Sequence, residues 1–264
     1  MSCEHRWTAG PQGGRAAGMM GCAKEAVPPM TIFQYDAAIL ARYPALVGGV
    51  LLAQGVRKGP TPPALGAAYR GEQQATLQRI GATPLSQIDA LAAWRGAFRG
   101  FGVEPTQYRS AAEALLRRLT KSGEIPSINA LVDLGTLVSI RYALPVAVFD
   151  LRAVQGALTV RFAHGSERYT PLGQAEVEHP EPGEVVFCDD SGLVAARRWC
   201  WRQSAQSAAG PDTTTALITI EAHHPRGRAD VQAAVDDLRA LLPAAVGGTC
   251  LAAVLDAVHP AFAR

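Results

Sequence analysis

The residues best suited to bind or react with a ligand form one short segment, Arg197–Ser204, which carries three arginines, two tryptophans and a glutamine. Guanidinium groups bind phosphate or carboxylate through paired hydrogen bonds, and indole and guanidinium planes stack on nucleobases. If the segment is a β-strand, its side chains alternate between two faces, with Arg197, Trp199 and Trp201 on one and Arg198, Cys200 and Arg202 on the other. The segment therefore predicts contact with a nucleic-acid end or an anionic ligand. The alternative is that both tryptophans are core residues and the arginines are solvated.

The remaining polar clusters give no signature of a familiar catalytic centre, since GxSxG, HExxH, P-loop and GxGxxG sequences are all absent. His223 and His224 are adjacent, and neighbouring residues of a strand point to opposite faces, so the pair predicts a strand end rather than a metal site. The run Asp189–Gly192 predicts a hairpin turn rather than a metal site. Neither a metal ion nor a cofactor is predicted.

The composition is that of an ordinary globular protein, with 264 residues of which 48% are hydrophobic. The net charge of +2 argues against bulk nucleic-acid binding, so any contact with RNA must come from a local patch. Five widely spaced cysteines without a CxxC pair argue against a zinc site and a disulfide framework, and they favour a reducing cytoplasm. No apolar run approaches the ~18 residues that a membrane span needs.

Helical patterns dominate the first half of the chain and strand patterns the second, followed by a return to helix. The predicted helices are Leu65–Ile80, Ser86–Phe98, one opened by the capping box Ser110–Glu113, Ala130–Tyr142, Ala229–Leu242 and Cys250–Val258. The predicted strands are Ala45–Val56, Val146–Asp150, Leu158–Phe162, Val185–Phe187, Val194–Trp201 and Ala216–Ala222. The order predicts an α+β fold in which helices pack on a largely antiparallel sheet.

Several of these segments, taken in order, resemble the B3/B4 domain of the bacterial phenylalanyl-tRNA synthetase beta subunit. The similar blocks are Pro126–Asp133, Leu144–Leu151, Leu158–Arg161, Tyr169–Gly173 and Val186–Asp190. The Arg-Trp-Cys-Trp-Arg-Gln-Ser run is similar to stand-alone B3/B4 proteins, which lack a synthetase body. Because the B3/B4 domain edits mischarged tRNA, the resemblance implies its fold and hydrolysis of misacylated aminoacyl-tRNA in trans.

Two positions depart from the family pattern. Ala147 stands where the family has a histidine, and Trp201-Arg202-Gln203 stand where it has a Gly-Gly-Glu turn. Both departures fall near the pocket that, by resemblance, holds the wrong amino acid. The substrate preference is therefore expected to differ.

A carboxylate candidate lies on the strand pattern Leu217–Ala222, where Thr219 and Glu221 share one face and, by resemblance, border that pocket. A buried glutamate there can bind the substrate's ammonium or act as a base on water. An aminoacyl ester is already activated and needs a positioned water and a group that holds the carbonyl oxygen. The alternative is that Glu221 forms a salt bridge, with Arg141, Arg197 or Arg202.

The resemblance and the residue types together give each candidate a role. Glu221 and Gln203 are predicted to be catalytic. The predicted substrate-binding residues are Thr219, Asn129, Ala147, Trp199 and Trp201, and the predicted tRNA-binding residues are Arg197, Arg198 and Arg202. The implied partner is the aminoacylated 3′ end of a tRNA, in the cytoplasm and without a membrane or metal. The alternative function is a non-catalytic module that binds tRNA or an amino acid, and Asn129 is alternatively a helix-terminal residue.

The chain is expected to divide into four parts. Residues 1–29 lack hydrophobic periodicity and a signal-peptide core, so we expect a disordered extension, with Met30 a second candidate for the translation start. Residues 30–92 are expected to form an N-terminal α/β part packed on the core, 93–225 the B3/B4-like core, and 226–264 a C-terminal helical segment.

Overall fold

The computed structural model describes residues 30–264, and the expected extension 1–29 lies outside the described residues. The strands of the described part are β1 (Thr31–Tyr35), β2 (Val47–Gln54), β3 (Val146–Asp150), β4 (Leu158–Phe162), β5 (Val185–Cys188), β6 (Val194–Arg197), β7 (Arg202–Gln203), β8 (Thr215–Ala222), β9 (Thr249–Leu255) and β10 (Ala261–Ala263). Its α-helices are α1 (Ala37–Arg42), α2 (Pro63–Ile80), α3 (Asp89–Gly100), α4 (Ala111–Ser122), α5 (Ala130–Tyr142) and α6 (Gly227–Val246).

The strands form two sheets where the sequence predicted one. The first has six strands in the order β10-β1-β4-β5-β6-β7, and the second has four in the order β3-β8-β2-β9. Every neighbouring pair is antiparallel except β1 and β4, which are parallel. The prediction of an α+β fold with largely antiparallel strands is confirmed.

The four-stranded sheet is the middle layer, between helices α2, α4, α5 and α6 and the six-stranded sheet. Strand β8 shows how alternation separates its two faces. Ile218 and Ile220 are fully buried in the core formed with α2, α4, α5 and α6. Leu217 belongs to the second core, between the sheets, and Thr219 and Glu221 share its face of the strand. The acid of β8 therefore points between the two sheets.

Two helices begin at the polar residues that the sequence indicated. The Ser110 hydroxyl accepts a hydrogen bond from the Glu113 N–H at 3.3 Å, and this cap begins α4. The Asn129 side chain accepts one from the Val132 N–H at 3.0 Å at the start of α5. No helix between Met30 and Arg264 has the length and apolar character needed to cross a bilayer.

One predicted helix, Cys250–Val258, and the predicted start of another are wrong. Thr249–Leu255 is a strand rather than part of a helix, because Gly247 and Gly248, with φ of 68° and 79°, turn the chain back after α6 and bring it to the edge of β2. The spacing of a short apolar run does not distinguish strand from helix. Ser86 does not cap α3, which begins at Asp89 after a short 3₁₀ turn.

The segment Arg197–Ser204 is not one continuous strand, so the predicted aromatic and cationic faces are wrong. Strand β6 ends at Arg197, and the next two residues, Arg198 and Trp199, adopt left-handed backbone conformations with φ of 46° and 59°. The chain then turns and pairs again only at Arg202 and Gln203. This turn sends the Trp199 side chain into the core and leaves Trp201 half-buried.

Candidate functional site

A cavity of about 340 Å³ lies beside the turn, between the two sheets. Its walls come from Pro145–Ala147, from Thr219 and Glu221 of β8, and from Trp199–Gln203. The wall is completed by Ala111, Leu172, Phe187 and Ala196. Apolar walls with a few converging polar groups are typical of a small-ligand site.

Glu221 lies at the inner wall of the cavity and is only 2% exposed. Both of its carboxylate oxygens lie 3.1 Å from the Trp199 indole nitrogen, which donates its hydrogen to them. None of the arginines considered as partners pairs with it: Arg141 pairs with Glu72 and Asp237, and Arg197 pairs with Glu178 and Glu184. Within residues 30–264 the salt-bridge alternative for Glu221 is therefore wrong.

Burial raises the pKa of Glu221 to about 7, because the ionised form loses its hydration. The hydrogen bond from the Trp199 N–H and the proximity of the Tyr35 hydroxyl oppose this shift, and both groups are neutral. The pKa of Tyr35 is itself raised well above its ordinary value, first by burial and then by the charge of Glu221. The carboxyl group thus changes its charge near neutral pH.

Gly48 gives Tyr35 the space to approach Glu221. Gly48 is paired with Glu221 across β2 and β8. A Cβ atom at this position would lie 2.0 Å from the Tyr35 hydroxyl oxygen, so the Tyr35 ring would have to move to make room for it. The absence of a side chain at this position is what lets a hydroxyl from the other sheet face the acid.

The raised pKa of Glu221 predicts a pH dependence of stability. Its folded-state value of about 7 lies above the ordinary 4.5, so the folded protein retains this proton over a range in which the unfolded chain releases it. This group's contribution to the unfolding free energy should therefore fall by about 3 kcal/mol as pH rises from 4.5 to 7. Urea unfolding measured between pH 4.5 and 7 should show that the free energy of unfolding falls more steeply with pH for the wild type than for Glu221→Gln. Parallel curves for the two proteins would contradict the raised pKa.

Trp199 is fully buried within a cage of aromatic rings. Its ring centroid lies 5.0 Å from that of Tyr43, 5.2 Å from Trp94 and 4.9 Å from His223, each in an edge-on arrangement. A ring enclosed in this way cannot stack on an adenine, so of its two predicted roles only that of cavity wall is compatible with the structure. Burial lowers the pKa of His223 to about 3 and keeps its imidazole neutral.

Arg197 is a buried structural residue, which contradicts its predicted contact with tRNA. It is 4% exposed, and its Nε and Nη2 donate to the two carboxylate oxygens of Glu184, each at 3.0 Å. Its Nη1 donates to Glu178 at 2.6 Å. The sequence could not show this, because both acids lie in the long connection between β4 and β5.

The cationic and aromatic residues that do reach the surface lie at the mouth of the cavity. Trp201 and Arg202 line it, and the Arg202 guanidinium lies 4.7 Å from the Trp201 ring centroid. The Arg198 guanidinium lies over Trp201 at 4.7 Å and over Tyr108 at 3.9 Å. Arg202 is exposed and has no carboxylate partner among residues 30–264. We call Tyr108, Arg198, Trp201 and Arg202 the rim.

Of the other predicted substrate-binding residues, Asn129 is the one that the structure excludes from the cavity. Its side-chain oxygen caps α5, and its amide nitrogen donates to the Ala209 carbonyl at 3.0 Å, so it is a helix-terminal residue. Ala147 and Thr219 are cross-strand neighbours that both line the cavity. Gln203 also lines it and donates to the Val148 carbonyl at 3.0 Å. The functional roles of these three residues stay predictions.

Sequence reasoning missed Tyr35 behind Glu221 and Tyr108 on the rim. Tyr35 is on the first strand and Tyr108 in the loop before α4, so no local spacing relates either of them to the turn. No grouping of three potential metal ligands occurs among the side chains of residues 30–264.

Residues 93–239, more than half of the chain, match the family described as the B3/4 domain. The chain belongs to this family. The match includes most of α3 and the whole of α4, α5, the turn and β8, and all the residues that line the cavity lie within it. It extends past the expected limit of Pro225 into α6, whose side chains pack on β8.

Curated relatives of this B3/4 domain protein are much longer chains. It is 38% identical over 109 residues to the phenylalanine–tRNA ligase beta subunit of Nitrobacter winogradskyi, which covers 41% of this chain and 13% of the relative. It is 31% identical over 99 residues to the Aquifex aeolicus beta subunit, again covering 13% of the relative. A solved N-terminal fragment of the phenylalanyl-tRNA synthetase beta subunit from Pyrococcus horikoshii aligns with 83% of this chain and 50% of that one, at 13% identity and a TM-score of 0.43.

Proposed function

We propose that this protein hydrolyses misacylated aminoacyl-tRNA in trans, with the aminoacyl group in the cavity and the tRNA 3′ end on the rim. The observation that carries the proposal is the position of Glu221, a buried acid that lines the cavity without an ionic partner. Membership of the B3/4 family and the similarity to synthetase beta subunits support the choice of substrate.

Hydrolysis of an aminoacyl ester requires few catalytic groups, because the ester is already activated. A site must fix the acyl carbon against a water molecule and donate a hydrogen bond to the carbonyl oxygen. Thr219 and Gln203 lie on the cavity wall with a hydroxyl and an amide, and Glu221 lies two residues beyond Thr219 on the same face of β8. The amide of Gln203 and the hydroxyl of Thr219 are the neutral donors available to an oxyanion.

The rim supplies what the end of a nucleic acid requires. The guanidinium groups of Arg198 and Arg202 lie over the ring of half-buried Trp201, and because Arg202 is exposed, a terminal base can stack on its guanidinium plane. Arg202 is exposed and points its charge toward solvent, where a phosphate can reach it.

A non-catalytic module that binds tRNA or an amino acid is the second candidate. Ala147 lines the cavity at the position where, by resemblance, the family has a histidine, so a side chain able to move a proton is missing from that wall. A panel of tRNAs, each charged with a non-cognate amino acid, separates the two candidates. Loss of the ester bond faster than in buffer is expected for at least one pair. Binding of the panel without any acceleration would favour the module.

Contact of Arg202 with phosphate predicts a change in the salt dependence of tRNA binding. Arg202→Ala should weaken binding and reduce the slope of log K against log salt by about one phosphate contact, because one fewer counterion is released. Fluorescence titrations at several salt concentrations measure the slope. Lys121→Ala, which removes an exposed cation outside the cavity lining, should leave the slope unchanged. An identical slope for Arg202→Ala would remove Arg202 from the tRNA interface.

A further inference from the structure

Glu221 is the single acidic side chain that lines the cavity, and no cation among the described residues neutralises it. The polar groups nearest to it are neutral and come from the turn and from β1. The Trp199 indole N–H donates to it, and the Cys200 thiol and the Tyr35 hydroxyl lie close by. Burial of an ionised carboxylate without a positive partner is unfavourable.

The cavity is electrically asymmetric along its length. Glu221 is buried at the inner wall, whereas Arg202, the one basic side chain of the lining, is exposed at the mouth. A ligand that matches both ends carries positive charge inward and negative charge outward. The 3′ end of an aminoacyl-tRNA has this arrangement, with an α-ammonium on the acyl group and phosphates on the nucleotide side.

We propose that Glu221 is the receptor for the α-ammonium of the aminoacyl group. This assignment rests on the proposed function for the identity of the ligand, and it selects one of the two roles open to the carboxylate. If Glu221 acted as a base on water instead, the ammonium would enter a cavity with no other acid in its lining, and it would lose its hydration without replacement.

The assignment links ligand binding to proton release. An ammonium beside Glu221 stabilises the ionised carboxylate, so a protein whose Glu221 is partly protonated must release that proton when the ligand binds. The titratable neighbours Tyr35 and Cys200 stay protonated near neutral pH, because burial and the nearby acid raise both of their pKa values. The released proton is therefore assigned to Glu221.

The test uses calorimetry on the full chain with 3′-aminoacylamino-3′-deoxyadenosines, whose amide bond replaces the hydrolysable ester. Alanyl, leucyl and phenylalanyl compounds are each compared with their N-acetyl derivatives, which lack the ammonium. We expect at least one free amine to bind about 10-fold or more tightly than its acetylated partner. Near pH 6.5, titration in two buffers of different ionisation enthalpy should show proton release for the free amine alone.

Two variants make the result specific to Glu221. Glu221→Gln should abolish both the preference for the free amine and the proton release, while Glu181→Gln, at an exposed acid outside the cavity lining, should retain both. Equal affinity for a free amine and its N-acetyl derivative, or no binding by any compound of the panel, would overturn the ammonium assignment.

Hydrolysis of misacylated tRNA is measured separately, so that the two proposals can fail independently. Ammonium-dependent binding without deacylation contradicts only the proposed reaction. Equal deacylation of N-acetylated and unmodified aminoacyl-tRNA contradicts only the ammonium assignment.

Discussion

Glu221→Gln is expected to lower the deacylation rate of the best misacylated tRNA by ~10²-fold or more while the fold is retained. Glutamine has the shape of glutamate and keeps an oxygen that can accept the Trp199 N–H, so the packing of the inner wall is preserved. What the variant loses is the negative charge that holds the aminoacyl group in position. A small displacement of the acyl carbon from its water is sufficient for a loss of this size.

Single-turnover hydrolysis with purified misacylated tRNA measures this effect. Glu181→Gln is the matched control, because it removes one exposed carboxylate outside the cavity lining and should deacylate at the parent rate. Near-ultraviolet circular dichroism verifies that the tryptophan cage of the variant is intact. If Glu221→Gln hydrolyses at the parent rate, the site assignment is wrong and Gln203 becomes the next residue to substitute.

Glu184→Ala is expected to destabilise the protein by about 3 kcal/mol or more, because it leaves Arg197 buried without its bidentate partner. The same carboxylate accepts a hydrogen bond from the Arg198 N–H at 2.8 Å, so the turn loses a support as well. Glu178 remains beside Arg197 but is 47% exposed at its side chain, which limits the compensation it can provide.

Urea denaturation at constant pH gives the free-energy difference. Glu178→Ala is the informative comparison, because it removes the solvated partner of the same arginine and should cost about 1 kcal/mol or less. If the two alanine variants were equally stable, the buried pair with Glu184 would not be the contact that holds Arg197.

Those parts of the site that depend on local pattern could be predicted from the sequence. Alternation along β8 placed Thr219 and Glu221 on one face, and the structure shows that both line the cavity. The caps at Ser110 and Asn129 followed from residue type and position. Such features depend on neighbours a few residues away, which the sequence displays directly.

The parts that could not be predicted depend on contacts between distant segments. Nothing in the residue types of Arg198 and Trp199 indicates a left-handed backbone, which such residues rarely adopt. Arg197 looked like a ligand-binding residue because its two acidic partners lie 13 and 19 residues earlier, in the connection between β4 and β5. Tyr35 reaches Glu221 only because the two sheets pack face to face above Gly48.

The left-handed pair Arg198 and Trp199 also makes the cavity dependent on elements far from it in the chain. Each such residue costs roughly 1–2 kcal/mol relative to ordinary backbone, so an isolated segment would not hold this turn. The contacts that offset the cost are the hydrogen bonds from the two backbone N–H groups, to Glu184 and to the Val185 carbonyl, and the cage around the Trp199 ring. Most of them are supplied by residues on or beside β5 and α3. The inner wall and the rim of the cavity are therefore stable only as long as this scaffold is intact, and a mutation that loosens β5 or α3 should loosen both of them.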